Sequence, residues 1–131
     1  LTTKFIYMNS QFSLLVRVTL GIMLVVFGSN KFLHFIPLPP PSGAAADFMN
    51  SLGATGYIFP IVGILEVCIG VLLLLKKWIA FALILLAPIS INILLFHLFL
   101  DIPGVSAALL VAALNGILMY KHWKQYTPLF M

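Results

Sequence analysis

One acid, Glu66, stands in the middle of an apolar run from Tyr57 to Leu75. One arginine, Arg17, stands near the start of another run, Phe12 to Leu33, which carries Lys31 near its end. A carboxylate in such surroundings has two uses. It can pair with a cation and fix how two helices pack, or it can accept a proton or touch a ligand. Residue types alone leave both readings open. A second group comprises Lys31, His34, His97 and Asp101. His97 and Asp101 are four apart and so share one helical face, where a carboxylate can hold an imidazole for proton relay or ligand binding. The other reading is a polar rim at headgroup depth, where such groups cost little. A third group, Asn92 and Asn115, suggests amide hydrogen bonds between helices. Arg17, Lys31, Glu66, Asn92, His97, Asp101 and Asn115 are thus the candidate polar core, with Glu66 and His97 the candidates for chemistry.

Other chemistries lack their residues. No nucleophile elbow is present, no second carboxylate lies near Glu66 in sequence, and no Gly-rich loop precedes a helix. Cys68 is alone, so no disulfide or CxxC pair can form within the chain. His34, His97 and Asp101 lack the tight spacing of a metal site, and no metal is expected. Haem ligation would need His34 and His97 facing each other at one depth, and the sequence weighs against it.

What must position these groups is lipid-embedded helix. Of the 131 residues, 63% are hydrophobic and 8% charged. A soluble domain this small cannot hide so much apolar surface. Inside lipid, unbroken runs of Leu, Ile and Val become helices, because backbone groups there have no water to bond. Four spans are expected, at about 12–33, 57–75, 78–100 and 104–120, within a single transmembrane domain over 1–131. The first run reads as a retained helix, not a cleaved signal. On it Arg17, Gly21, Gly28 and Lys31 fall along one stripe, and on the second Gly63, Glu66 and Gly70 do the same. Small residues let helices approach, so these stripes are expected to touch, with Arg17 and Glu66 bonded between them. Pro88 is expected to kink the third helix and open a polar notch beside Ser90 and Asn92.

Cation counting gives the orientation. Lys4, Lys76, Lys77, Lys121 and Lys124, with Arg17 close by, share one side; Lys31, Asp47 and Asp101 share the other. The positive-inside rule then places both termini in the cytoplasm. The net charge of +4 is too scattered for a nucleic-acid footprint. The outer loop, 34–56, begins with Pro37, Pro39, Pro40 and Pro41. After it, Ser42 can cap a short amphipathic helix through Leu52, with Ala45, Phe48, Met49 and Leu52 at helical spacing. The fold class is therefore an all-α integral membrane four-helix bundle with that helix in the first outer loop.

These residues, taken in order, resemble the DoxX family of small four-helix bacterial membrane proteins. The match comprises Arg17, Phe27-Gly28-Ser29-Asn30-Lys31-Phe32 and Gly63-Ile64-Leu65-Glu66 with Gly70. Pro88, Asn92, Phe96-His97-Leu98-Phe99 and a tail near Pro128-Leu129-Phe130 extend it through the second half. The family takes its name from a subunit of a terminal quinol oxidase, and relatives serve in quinone-linked assemblies. The resemblance implies a bacterial cytoplasmic membrane, a lipid bilayer around the chain and other membrane subunits as partners. It implies no certain cofactor, with a quinone as the candidate, and it supplies no agreed catalytic mechanism.

Three functions follow as expectations. The first is an accessory or assembly subunit of a quinone-linked redox complex, without stand-alone enzyme activity. The second is a quinone- or quinol-binding oxidoreductase subunit with an intramembrane site at Glu66 or His97. The third is a small-solute transporter or channel, which four helices could form only as an oligomer.

Overall fold

The computed structural model describes residues 10–131; Lys4, used in the cation count, lies outside them. The first helix, α1, spans Ser10–Leu33 and ends where His34 takes a left-handed backbone (φ 51°) ahead of the prolines. A short helix, α2 (Gly43–Ala54), follows, then α3 (Ile58–Leu74) and α4 (Ile79–Leu100). A 3₁₀ turn at Ile102–Gly104 leads into α5 (Val105–Lys121). A single turn, α6 (Trp123–Tyr126), and a 3₁₀ turn at Thr127–Phe130 close the chain. No strand occurs among the described residues. Helix ends fall within two residues of the expected spans.

The four long helices run up and down. Three bonds tie one end of the bundle together: Arg17 to the Leu73 carbonyl, Lys121 to the Ser13 hydroxyl, and Tyr126 to the Ala80 carbonyl. The start of α1, the α3–α4 turn and the end of α5 therefore share that end. In the α3–α4 turn Lys76 and Trp78 both adopt left-handed backbone, which reverses the chain in few residues.

Packing is closest between α1 and α3 and next between α4 and α5. The α1–α3 contact depends on missing side chains. A Cβ on Gly28 would lie 2.8 Å from the Gly63 carbonyl, and one on Gly70 would lie 2.7 Å from that of Gly21. Only glycine lets the backbones meet so closely. The apolar core, including Leu20, Leu24, Ile69, Leu73, Leu83, Leu86 and Leu118, fills the half of the bundle nearest the shared end. Lys31, His97 and Asp101 lie beyond it, in the other half.

That other end is capped by α2. It turns 88° from α3, so it lies across the bundle instead of continuing along it. Its buried residue is Ala45, and Phe48 stacks on Phe96 of α4 with ring centroids 5.6 Å apart. Ser42 does occupy the N-cap position, with extended backbone, but its side chain makes no cap hydrogen bond, and the helix runs on to Ala54, beyond Leu52. Among the described residues three segments are long and apolar enough to cross a membrane, α1, α4 and Ile102–Lys121, and α2 with α3 make a fourth if that bent pair counts as one span. By itself α3 has 17 residues, near the lower limit for a crossing.

Candidate functional site

The carboxylate of Glu66 meets Lys31, with Nζ and Oε1 2.5 Å apart and the Glu66 side chain 4% exposed. Arg17 instead donates to the Leu73 carbonyl. The expected Arg17–Glu66 bond does not form, and Lys31 leaves the outer cluster in which the sequence placed it. The reason is directional. Gly21 faces Gly70 and Gly28 faces Gly63. On that register Arg17 and Glu66 stand about eight residues, or about 12 Å, apart along the axis. Side chains on a helix lean toward its N-terminus. In this antiparallel pair Arg17 leans away from Glu66, whereas Lys31 and Glu66 lean toward each other and close an axial gap of about 9 Å. The expectation used side-chain length and omitted this tilt.

The Lys31–Glu66 pair is thus a charge-assisted hydrogen bond between two helices already held together by glycine contacts. Beside it, on the outer face of α1 and α3, lies an open groove of about 300 Å³ lined by Ser29, Phe32, Leu33, Ile64, Val67 and Cys68. The groove is apolar and does not include Glu66 or Lys31. It would suit a hydrocarbon tail better than a polar head.

The second site lies under α2. His97 Nδ1 stands 3.2 Å from Asp101 Oδ2 and 3.2 Å from the Asp101 carbonyl oxygen. Phe96 packs edge-on to the imidazole with centroids 5.0 Å apart, and Phe48 lies beyond it. A Cβ on Gly104 would come 2.8 Å from Asp101 Oδ2 and 2.9 Å from His97 Cε1, so a side chain there would displace the ends of this pair. With Nδ1 directed at Asp101, Nε2 is the ring nitrogen left for a ligand. His34 is exposed after α1 and does not join it: no group of three metal-ligating side chains gathers among the described residues.

The two asparagines separate. Asn115, 3% exposed, accepts from the Ser90 hydroxyl at 3.1 Å and donates to the Leu83 carbonyl at 3.2 Å, linking α5 to α4. Asn92 is exposed and donates to the Pro88 carbonyl in its own helix at 2.8 Å. It does not bridge helices, because its register on α4 points it away from α5. Asn115 instead takes Ser90, two residues past Pro88, as its partner.

Two contributors, Asn30 and Ser13, escaped sequence reasoning. Asn30 accepts from the Ile36 N–H at 2.7 Å and so folds the proline-rich loop back on α1. Ser13, like Ser90, is a buried hydroxyl bonded across helices. Asn30 stands next to Lys31 in the run that carries the family resemblance, which was the available signal; a serine in an apolar helix gives none.

Beyond the bundle ends, two groups are shifted by their surroundings. Burial, and then the neighbouring Lys121 ammonium, push the His122 imidazole below its ordinary value. Burial pushes the Tyr126 phenol up.

A comparison with protein families matches the model described as DoxX over residues 12–98, about two thirds of the chain. No curated protein and no solved structure matches.

Proposed function

The chain belongs to the DoxX family and is a multi-pass membrane protein, and on that premise we propose that it is a non-catalytic subunit of a quinone-linked redox complex. The observation that carries this reading is the closure of Lys31 on Glu66 at 2.5 Å. The deepest acid of the chain is spent on packing α1 against α3, which makes the bundle a scaffold. Its wide apolar exterior, with Phe12, Leu15, Phe81 and Phe99 among the exposed side chains, is free for lipid and for partner helices. We further place α3 as a fourth crossing and the lysine-rich end in the cytoplasm of a bacterium. Support comes from Arg17, Lys76, Lys77, Lys121 and Lys124 sharing one end, as the positive-inside rule requires.

The test is isolation of the tagged chain from its native membrane in a mild detergent. Co-migration with larger redox subunits on a native gel is expected. A chain that always runs alone, with the membrane's quinol oxidation unchanged by its deletion, would overturn the proposal.

A second reading rests on a separate observation, the imidazole of His97 held by Asp101 beside Phe96 and Phe48. There His97 would donate to or accept from a quinone oxygen, and the two phenylalanines would pack against the ring. His97→Gln would then abolish quinol-linked turnover while leaving the folded amount unchanged. Equal loss of folded protein would assign His97 to packing.

A further inference from the structure

The shared end of the bundle is positively charged without compensation. It carries Arg17, Lys76, Lys77, Lys121 and Lys124, whereas of the three acids of the whole chain Asp47 and Asp101 lie toward the other end and Glu66 lies at mid-helix in α3. Among the described residues the Lys31–Glu66 ion pair and the His97–Asp101 contact both lie away from this end.

Two of these cations turn inward. Arg17 is only 9% exposed and donates to the Leu73 carbonyl. Lys121, partly buried at the end of α5, donates to the hydroxyl of Ser13, itself 4% exposed. Ser13 and Arg17 are one turn apart on the same face of α1. The Arg17 side chain leans toward the α1 N-terminus and therefore toward Ser13. The Lys121 ammonium, from α5, thus bonds the serine one turn before Arg17 on α1, while the Arg17 guanidinium bonds the Leu73 carbonyl of α3. Their acceptors are weak as counter-charges. A carbonyl in the last turn of α3 contributes a fraction of a negative charge, and a hydroxyl contributes none. A buried cation is costly without an anion.

We propose that Arg17, Lys121 and Ser13 form a binding site for a phosphate group, carried in the membrane by the headgroup of an anionic phospholipid. The donors suit it: a planar guanidinium fork, an ammonium with three N–H groups and a hydroxyl. The depth suits it too. Trp78 and Trp123, 74% and 56% exposed, mark the headgroup level at this end. Lys76, Lys77 and Lys124 remain exposed on the rim, where they draw anions toward the site. Anionic lipid would pin α1 to α5 at the end where the Lys121–Ser13 bond already joins them.

The test is native mass spectrometry of the chain in a neutral detergent, with dioleoylphosphatidylglycerol, dioleoylphosphatidylcholine or inorganic phosphate as the probe. One phosphatidylglycerol per chain is expected to survive activation that strips phosphatidylcholine. Lys121→Met keeps the aliphatic stem and should weaken phosphatidylglycerol binding about fivefold or more, the value of one membrane-facing cation. Arg17→Lys should weaken it further, and Lys124→Gln should change it less than twofold. Protection of the chain against heat by inorganic phosphate alone would name a soluble phosphate as the ligand, and protection by phosphatidylglycerol alone would name a headgroup; both uphold the site. Equal retention of the two lipids would overturn it. So would phosphatidylglycerol binding that ignores Lys121→Met but falls when the rim lysines are removed. If Arg17→Lys does not fold, Lys121→Met alone decides.

Discussion

Lys31 and Glu66 should show a lopsided mutational response. Lys31→Met leaves the Glu66 carboxylate, 4% exposed, with no cation in reach, because Arg17 leans the other way. Breaking a buried pair in this manner costs about 3–5 kcal/mol. Glu66→Gln leaves the Lys31 ammonium, whose side chain is 25% exposed and sits near the end of α1, from which it can extend to the interface. That variant should lose only the charge-assisted bond, about 1.5–3 kcal/mol. The double variant Lys31→Met with Glu66→Gln removes both charges, so its loss should fall short of the summed single losses by about 1–3 kcal/mol. Arg17→Gln combined with Glu66→Gln should be additive within about 0.5 kcal/mol, since the two side chains share no contact. The assay is unfolding in mixed micelles by titrated dodecyl sulfate, followed by far-ultraviolet ellipticity and tryptophan fluorescence. Strong coupling of Arg17 to Glu66, or a Lys31→Met variant as stable as the parent, would refute the register and tilt on which the pairing rests.

Three further outcomes are expected. Gly28→Ala should destabilise the α1–α3 contact by about 1–3 kcal/mol through overpacking against the Gly63 carbonyl; Gly116→Ala, with nothing within 4 Å of the added methyl, should stabilise by about 0.5–1 kcal/mol in the same unfolding assay. Stability should decline as pH falls below about 6.5, because the unfolded His122 imidazole takes up a proton there while the folded one, held low by burial and Lys121, stays neutral; His122→Gln should flatten that slope in thermal melts between pH 5 and pH 7, and an unchanged slope would remove His122 as its source. Asn115→Leu should cost about 1–3 kcal/mol by leaving the Ser90 hydroxyl and the Leu83 carbonyl without their partner, whereas Asn92→Leu, on an exposed face of α4, should cost less than half as much by ellipticity-monitored unfolding.

The residues themselves determined the membrane helices. Composition and run length suffice for that, because lipid forces every apolar run to bond its own backbone. The glycine stripes also announced the α1–α3 contact, since Gly21, Gly28, Gly63 and Gly70 recur at a seven-residue spacing that keeps each pair on one face. Which cation meets Glu66 was not legible there. Arg17 and Lys31 lie on the same stripe, and choosing between them needs the axial register of two helices and the direction in which their side chains tilt. The same holds for Asn92 and Asn115, alike in sequence but turned to opposite surroundings by their places on α4 and α5. Only the packed bundle fixes such choices, because a pairing in lipid depends on where two helices stop sliding past each other, and here backbone contact between glycines sets that point.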